Sequence, residues 1–313
     1  MRQFVVGEGG WGDLRGTFST RSAQFRHRSM RRAATGRGAE GDVMRASNEG
    51  VEINYETEGE GRPVVLLHGF PDTANLWRHQ VAALSTNGFR VIAPDLRGFG
   101  LSDKPADVNA YNLLNLAGDV VAVLDDAGVE RAHVVGHDWG AALSWALAAF
   151  LPDRVDHLAV LSVGHPTTFR GEGFEQFEKS WYMLLFQFAG VAEQWLSDDD
   201  WRNFRRWSRH PEADAAIALL KANGSLTPAL NYYRANLPPE SYVAPRIDFP
   251  PVAAPTMGVW STGDIALTEG QMTRSASHVS GPWRYERLEG PGHWMQLEAP
   301  EAVNELLLDF LPR

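Results

Sequence analysis

Cysteine is absent from this chain, and its absence removes several classes of chemistry. None of the 313 residues is Cys, so disulfides, thiol nucleophiles and thiolate metal sites are excluded. The absence fits a reducing compartment, and we expect a cytoplasmic protein. No apolar run approaches the roughly 20 residues needed to cross a bilayer, so no membrane span is expected. No spacing of ligands suggests a metal, and the short Gly98-Phe99-Gly100 turn lacks the full fingerprint of a phosphate loop. We therefore expect neither a metal nor a cofactor.

Basic charge is scarce outside the first 43 residues. That stretch has eight Arg and four acidic residues, a net charge of +4, whereas the whole chain has a net charge of −10. The remaining residues therefore have a net charge of −14, which argues against nucleic acid as a partner.

The N-terminal stretch itself has no helical or strand period and no apolar centre of a secretory signal. We predict that residues 1–44 are a disordered leader without function, or an over-extended gene start with Met44 as the initiator.

Apolar runs alternate with helix-like stretches from Met44 onward. The alternating residues 51–55 predict a half-buried antiparallel strand. Short unbroken apolar runs predict strands buried on both faces of a parallel sheet. These runs are residues 64–67, 90–93, 133–135, 158–161 and 257–260, and helices are expected near 74–86, 112–127, 139–150 and 300–311. The fold class is therefore α/β, with a mostly parallel sheet and helices on both faces.

One region interrupts this alternation. Between about residues 166 and 250 there is no strand-like run, and helix-like segments hold four tryptophans. We interpret it as an all-helical lid inserted between two parts of the α/β core, residues 45–165 and 251–313. Because ligand sites in open α/β sheets lie at the carboxyl ends of the strands, the lid could cover such a site.

The most informative motif is Gly136-His137-Asp138-Trp139-Gly140. It follows the apolar run 132–135 and precedes a helix-like stretch. This order of strand, tight turn and helix is typical of a nucleophile elbow, whose central residue is usually Ser. Asp138 occupies that position here. The alternative is that Asp138 only caps the helix that begins near Trp139.

An aspartate at the elbow favours attack on saturated carbon. A serine would form an ether that water cannot release, whereas a carboxylate forms an ester that a second step can hydrolyse. With a reference pKa of about 3.9, Asp138 is ionised at neutral pH without a base. The residue therefore indicates displacement at an alkyl carbon, by opening an epoxide or expelling a halide.

Two later loops supply a base and an acid. His293, in Gly290-Pro291-Gly292-His293-Trp294, follows the strand-like residues 283–288, and Asp264 follows the strand that ends at Trp260. A histidine suits the activation of water near neutral pH. The chain order of nucleophile, acid and histidine is that of the α/β-hydrolase fold. Asp264 as a turn residue and His293 as a loop histidine are the alternatives.

Two backbone N–H groups are candidates for stabilising the oxyanion of ester hydrolysis. One belongs to Trp139, which follows the nucleophile. The other belongs to Phe70 in His68-Gly69-Phe70-Pro71, where we predict a cis bond before Pro71. We expect His68 to be structural.

These residues resemble the epoxide hydrolases of the α/β-hydrolase superfamily, over residues 45–313. The matching segments are His68-Gly69-Phe70-Pro71, the Asp138 elbow, and the Asp264 and His293 loops. The resemblance implies two lid tyrosines that hydrogen-bond the epoxide oxygen. Tyr182 and Tyr233 match them, with Tyr232 as the weaker alternative to Tyr233, and Tyr182 and Tyr233 could instead only pack the lid beside its tryptophans.

The resemblance implies hydrolysis of a small apolar epoxide to a vicinal diol, with water as the second substrate, through an alkyl-aspartate ester. It implies a monomer or a homodimer. Haloalkane dehalogenases resemble the chain second, and Trp139 could supply their halide-binding indole. A binding protein that has lost turnover would show a gap at the nucleophile, acid or base, and none is seen.

Overall fold

The computed structural model describes residues 44–243 and 249–313. The predicted leader, apart from Met44, lies outside the described residues. Within them, no helix is long and apolar enough to cross a membrane.

An eight-stranded sheet forms the centre of the molecule, in the order β1-β2-β4-β3-β5-β6-β7-β8. Strand β2 is antiparallel to both of its neighbours, and the pairs from β4 through β8 are all parallel. The strands are β1 (Met44–Asn48), β2 (Val51–Glu58), β3 (Arg62–Leu67), β4 (Phe89–Pro94), β5 (Ala132–His137), β6 (Val155–Leu161), β7 (Thr256–Ser261) and β8 (Trp283–Leu288).

Twelve α-helices surround this sheet in the described residues. Those of the core are α1 (Arg78–Ser85), α2 (Leu113–Asp126), α3 (Trp139–Phe150), α10 (Glu269–Thr273), α11 (Met295–Glu298) and α12 (Pro300–Phe310). Those between β6 and β7 are α4 (Pro166–Phe169), α5 (Phe174–Lys179), α6 (Tyr182–Leu185), α7 (Val191–Ser208), α8 (Ala213–Asn223) and α9 (Leu226–Asn236). Helix α7 contains non-helical backbone at Asp198–Trp201.

Alternate residues of the central strands supply two hydrophobic cores. Val64 and Leu66 of β3 belong to the core on one face of the sheet, whereas Val65 and Leu67 belong to the core on the other. Successive side chains of a strand point to opposite faces, so a strand apolar at every position must be covered on both. The predicted α/β class with helices on both faces is confirmed.

The predicted strands and core helices are present, with ends that differ by a few residues. Strand β1 was not predicted, because its sequence Met-Arg-Ala-Ser-Asn has no apolar alternation. It forms by pairing with β2, from Met44 opposite Tyr55 to Asn48 opposite Val51. An edge strand of this kind depends on a partner that is not visible in its own sequence.

Candidate active site

A strained turn connects β5 to α3 and places Asp138 above the carboxyl edge of the sheet. Asp138 has φ 52° and ψ −121°, a left-handed conformation that is costly for a residue with a side chain. The turn needs glycine on both sides. A Cβ at Gly136 would collide with the Gly140 carbonyl, and one at Gly140 would collide with the Leu67 carbonyl of β3. Close packing of the backbone therefore explains why both positions of the motif are glycine.

The carboxylate of Asp138 does not cap the helix that follows it. Its side chain accepts no capping hydrogen bond, although Asp138 occupies the N-cap position of α3. Oδ1 instead accepts a hydrogen bond of 2.8 Å from the Phe70 N–H. The capping alternative is therefore wrong, and the carboxylate faces the loop after β3.

His293 lies between two carboxylates. Its Nε2 is 3.7 Å from Oδ2 of Asp138, and its Nδ1 is 3.0 Å from Oδ2 of Asp264. All three residues follow strands that are adjacent in the sheet or one strand apart, namely β5, β7 and β8. The parallel order brings together residues that are separated by as many as 155 positions.

The two carboxylates control the protonation of this histidine. Burial alone would lower the pKa of His293, but the Asp264 charge and contacts with Asp138 and Asp264 raise it to about 10. The reciprocal effect acts on Asp264. Its burial favours the neutral acid, yet His293, the Ser162 hydroxyl and the Leu267 N–H hold its pKa below the usual value. The resting site therefore contains a protonated His293 beside an ionised Asp264.

A third polar side chain contacts both Asp264 and His293. The Ser162 Oγ donates to Oδ2 of Asp264 at 2.5 Å and lies 2.8 Å from Nδ1 of His293. Ser162 is fully buried and has φ 71°, directly after β6. One backbone bond, from the Ser162 N–H to the Val259 carbonyl, and a bond from the Gln271 side chain to the Ser162 carbonyl hold it there. Sequence reasoning did not identify Ser162, since its only signal was a polar residue at a strand end.

The loop after β3 lies against the nucleophile, as the motif predicted. The Phe70–Pro71 peptide bond is cis, which confirms the prediction. His68 is fully buried, and its Nε2 accepts a hydrogen bond of 2.9 Å from the Leu96 N–H, so its role is structural. The Phe70 N–H points at Asp138, whereas the role of the Trp139 N–H stays a prediction.

Two tyrosines from the helical segment between β6 and β7, which is the predicted lid, line the same space as Asp138. Tyr182 on α6 and Tyr233 on α9 are buried, with ring centroids 6.0 Å apart. Burial, with the nearby charge of Asp138, raises the pKa of Tyr233 well above 10, while a hydrogen bond from the Trp139 indole lowers it. Tyr233 therefore remains a hydroxyl donor at every physiological pH.

Tyr232 has a different position from Tyr233. Its hydroxyl donates a hydrogen bond of 2.6 Å to the Arg97 carbonyl, and its ring packs against Tyr111 and Phe99. Neither cavity beside Asp138 includes it. Of the two neighbouring tyrosines, the geometry selects Tyr233.

Two cavities meet at Asp138, Tyr182 and Tyr233. The larger, of about 560 Å³, has a mixed lining of aromatic and charged side chains that includes His293 and lid residues. The smaller, of about 190 Å³, has a mainly apolar lining, including Leu113, Ala142, Val163, Phe169, Met183, Leu237, Phe249 and Leu267. A molecule held at Asp138 can therefore extend into one space of mixed character and one apolar space.

A second buried cluster joins the lid to the core beside the site. Asp72 accepts a bond of 2.9 Å from the Trp294 indole and a bond of 3.1 Å from Nε2 of His210. His210 follows α7, and its Nδ1 accepts the Glu212 N–H, so Nε2 carries the proton. Sequence reasoning missed this cluster, because Asp72 and His210 are 138 positions apart and match no motif.

The chain is similar to known proteins over most of its length. Residues 62–300 match the model of the alpha/beta hydrolase fold. Epoxide hydrolase A of Mycobacterium tuberculosis is 35% identical over 309 residues, covering 84% of this chain and 94% of that protein.

Solved structures agree with this similarity. The crystal structure of epoxide hydrolase A from Mycobacterium thermoresistibile has a TM-score of 0.71 and 32% identity, over 87% of this chain and 98% of that one. A variant of an epoxide hydrolase from Bacillus megaterium, complexed with its naphthyloxy-propanediol product, has a TM-score of 0.77 and 28% identity. That match covers 86% of this chain and 100% of the other.

Proposed function

Because this chain belongs to the α/β-hydrolase family and, within it, to the epoxide hydrolases, we propose that it converts epoxides to vicinal diols through a covalent ester on Asp138. The observation that carries the proposal is the placement of His293, with Nε2 toward Asp138 and Nδ1 toward Asp264. A carboxylate nucleophile, a base and an orienting acid thus meet beside two tyrosine hydroxyls.

In the first step, Asp138 attacks a ring carbon of the epoxide. A C–O bond to the carboxylate forms as the ring C–O bond breaks, and Tyr182 and Tyr233 donate hydrogen bonds to the departing oxygen. Tyr233 suits this role because its hydroxyl is protonated while the Trp139 indole donates to it. The alkoxide takes up the proton that His293 gives up, and the Asp138 carboxylate loses its charge because it is now an ester.

In the second step, His293 removes a proton from water, which attacks the ester carbonyl. The Phe70 N–H already donates to the Asp138 carboxylate, so it is positioned for the oxyanion, and we assign the Trp139 N–H as the second donor. The bond between the Asp138 carbonyl carbon and the ester oxygen then breaks. The diol leaves with that oxygen, and an oxygen from water takes its place in the Asp138 carboxylate. The proton released here balances the one taken up in the first step.

The loss of charge on Asp138 also prepares the histidine for this step. While Asp138 is ionised, it helps to keep the pKa of His293 near 10. Esterification removes that charge and so lowers the pKa of His293 toward the neutral imidazole that burial favours, while the Asp264 charge still raises it. The base is thereby formed only after the ester exists.

Labelled water tests the covalent route. A single turnover in H₂¹⁸O should place ¹⁸O in the Asp138 carboxylate, and mass spectrometry of the peptide that contains residues 136–140 would detect it. Label found only in the diol would mean direct attack by water and would refute the ester. His293→Gln should instead accumulate the alkyl-enzyme, detected as the added mass of the epoxide.

Dehalogenation is the second candidate function. Its halide would need the free Trp139 indole, whereas here that indole donates to Tyr233, which favours the epoxide. A parallel assay with styrene oxide and 1-bromobutane separates the two functions. We expect diol and no bromide, and bromide release at a comparable kcat/KM would reverse the order of the candidates.

A further inference from the structure

One helix of the lid is hydrogen-bonded to the loop that contains Asp264. Helix α5 belongs to the segment between β6 and β7, whereas residues 264–268, which we call the acid loop, follow β7 in the core. Gln176 and Lys179 of α5 each donate a hydrogen bond to a backbone carbonyl of the acid loop. The loop of the proposed acid is therefore held from the lid as well as from the core.

The amide of Gln176 bonds the acid loop at two points. Its Nε2 donates to the Ala266 carbonyl at 2.7 Å, and its Oε1 accepts from the Thr268 N–H at 2.9 Å and from the Thr268 hydroxyl at 3.0 Å. Nε2 also donates to the Ser180 hydroxyl at 2.7 Å. Because an amide NH₂ group accepts no hydrogen bond, the Thr268 N–H fixes the orientation of this amide. Both donors and both lone pairs of the amide are used.

This pattern is the one by which a residue of a parallel strand bonds its neighbour. Such a residue donates to one carbonyl and accepts from the N–H two positions further along. The Gln176 side chain therefore takes the place of a strand residue beside the acid loop.

Burial makes these bonds difficult to replace. Gln176 is only 1% exposed, and burying a polar side chain is costly unless its hydrogen bonds are satisfied. Removal of the amide would leave the Ala266 carbonyl and the Thr268 N–H without this partner. The acid loop would then shift to satisfy them in another way.

The inner side of the acid loop bonds the carboxylate of Asp264. Oδ1 accepts from the Ala266 N–H at 2.8 Å and from the Leu267 N–H at 2.9 Å, while Oδ2 faces Nδ1 of His293. Ala266 thus gives its N–H to Asp264 and its carbonyl to Gln176. Because both groups belong to one residue, the position that Gln176 fixes is transmitted to the carboxylate that orients His293.

Lys179 bonds the start of the same loop. Its Nζ donates to the Asp264 carbonyl at 2.7 Å, and the side chain is half-buried in the wall of the larger cavity. Ile265 and Ala266 of the acid loop line that cavity too. The lid helix and the acid loop therefore share a wall of the space in which a substrate would lie.

We propose that Gln176 is a positioning residue for hydrolysis of the ester: from the lid, it holds the acid loop so that Asp264 orients His293. This inference rests on the proposed function, because it assigns Gln176 to the step in which His293 activates water. The lid then contributes to both steps. Tyr182 and Tyr233 act in ring opening, and Gln176 acts in hydrolysis.

A purely structural role for Gln176 predicts a different result. If the amide only attaches the lid to the core, its loss should slow both steps together, since the lid also contains the two tyrosines. Loss of positioning should instead act at His293 and spare the attack by Asp138. The ratio of the two rates therefore separates the two roles.

Gln176→Met tests the proposal, because it keeps the length of the side chain and removes its hydrogen bonds. We expect alkylation by styrene oxide to change little and hydrolysis of the alkyl-enzyme to fall about 10-fold, the equivalent of about 1.4 kcal/mol. Single-turnover quenched flow with intact-protein mass spectrometry would measure both rates. Unchanged hydrolysis, or equal slowing of the two steps, would overturn the proposal.

A milder variant covers the case in which Gln176→Met does not fold, as judged by circular dichroism. Gln176→Asn keeps an amide that is one methylene group shorter, so it cannot reach Ala266 and Thr268 together. We expect a smaller loss, still confined to hydrolysis. Absence of a selective loss in the folded variants would overturn the proposal.

Gln187→Met is the matched control. Gln187 is another glutamine of the lid, and its Nε2 donates to the Met183 and Tyr233 carbonyls at 3.1 and 3.2 Å. Neither bond reaches the acid loop. Hydrolysis relative to alkylation should therefore stay at the wild-type value. A selective loss as large as that of Gln176→Met would assign the effect to loosening of the lid and overturn the proposal.

NMR of ¹⁵N-labelled histidine tests the positioning without turnover. Burial lowers the pKa of His293, and the Asp264 charge is the first of the causes that raise it to about 10. A displaced Asp264 should therefore give a lower pKa of His293 in Gln176→Met than in the wild type or in Gln187→Met. An unchanged pKa would overturn the proposal.

The same measurement separates this inference from the proposed function. A wild-type chain that forms no alkyl-enzyme with any epoxide would refute the ester on Asp138. The pKa of His293 would still decide whether Gln176 positions Asp264.

Discussion

A single hydroxyl, that of Ser162, contacts both the acid and the histidine of the site. Its bonds to Asp264 and His293 are 2.5 and 2.8 Å long, and its backbone has a positive φ. A serine held in a costly conformation, with its hydroxyl at two charged groups, is suited to position them. It does not contact Asp138.

Ser162→Ala should therefore slow the second step and spare the first. The lost bond is to charged groups and is worth about 1.5–3 kcal/mol, so we expect hydrolysis of the alkyl-enzyme to fall by about 10-fold or more. Quenched-flow measurements with intact-protein mass spectrometry would follow both steps.

The matched control is Ser102→Ala, at another buried serine whose hydroxyl bonds only the backbone. Ser102→Ala should lower the free energy of unfolding without slowing hydrolysis of the alkyl-enzyme relative to alkylation. Equal slowing of alkylation and hydrolysis in Ser162→Ala would indicate a general structural role instead.

The pKa of His293 is a second property decided at single residues. Asp138 is one of the causes that raise this pKa to about 10. Asp138→Asn, which mimics the loss of charge in the ester, should lower it, as measured by NMR of ¹⁵N-labelled histidine. An unchanged pKa near 10 would contradict the proposed activation of the base.

The same shift predicts the sign of a stability change with pH. The folded-state pKa of about 10 exceeds the unfolded value of about 6.5, so the folded state holds the extra proton. The contribution of this group is complete below about pH 6.5 and is lost as the pH rises through about 10. Urea denaturation should show that the contribution of His293 to the free energy of unfolding is lost at a lower pH in Asp138→Asn than in the wild type.

At the scale of elements, the loop after β3 and the lid meet at Asp72. This buried carboxylate receives bonds from Trp294, next to His293, and from His210, next to α7. Burial raises the pKa of Asp72, but the hydrogen bonds from His210 and from the Trp294 indole hold it below the usual value. Asp72 therefore stays ionised, and its two donors connect three separate elements.

His210→Phe should weaken this connection. Asp72 would lose one of its two side-chain donors, at a cost of about 2 kcal/mol in the free energy of unfolding, as measured by urea denaturation. Faster proteolysis of the lid should accompany it. His79→Phe, at an exposed histidine, is the control and should change neither property. An unaltered free energy of unfolding in His210→Phe would contradict a stabilising role for the contact between His210 and Asp72.

The elements themselves could be predicted to different degrees. Strands β3 to β7 are short apolar runs because both faces of the sheet are covered, and that pattern is local to each strand. Strand β1 has no such pattern and exists through its pairing with β2. The connection at Asp72 was likewise invisible, because hydrogen bonds between distant loops leave no periodic signal.

At the scale of the whole molecule, the lid and the core enclose the two cavities at Asp138. The smaller one is bounded by Ala142 of α3, Met183 of α6 and Leu237 after α9, so it exists only where the lid packs on the core. We expect it to receive the apolar substituent of the epoxide.

Ala142→Phe should fill part of this space of about 190 Å³. We expect kcat/KM for a naphthyl glycidyl ether to fall at least about 10-fold, since displaced apolar contacts of a few side-chain atoms are worth more than 1 kcal/mol. Turnover of methyloxirane should change little, as followed by diol formation. An equal loss for both substrates would place the apolar substituent elsewhere.

The sequence by itself determined the α/β class and the kind of chemistry available to the elbow. Both follow from local patterns in the sequence. One is the alternation of short unbroken apolar runs with helix-like stretches, and the other is a carboxylate in a tight turn between two glycines. Only the tertiary structure decided which tyrosine faces the cavity, since Tyr232 and Tyr233 are neighbours and differ only in the direction each takes from α9. It also brought Ser162 to Asp264 and His210 to Asp72, because contacts between residues 102 and 138 positions apart depend on how the strands and the lid pack together.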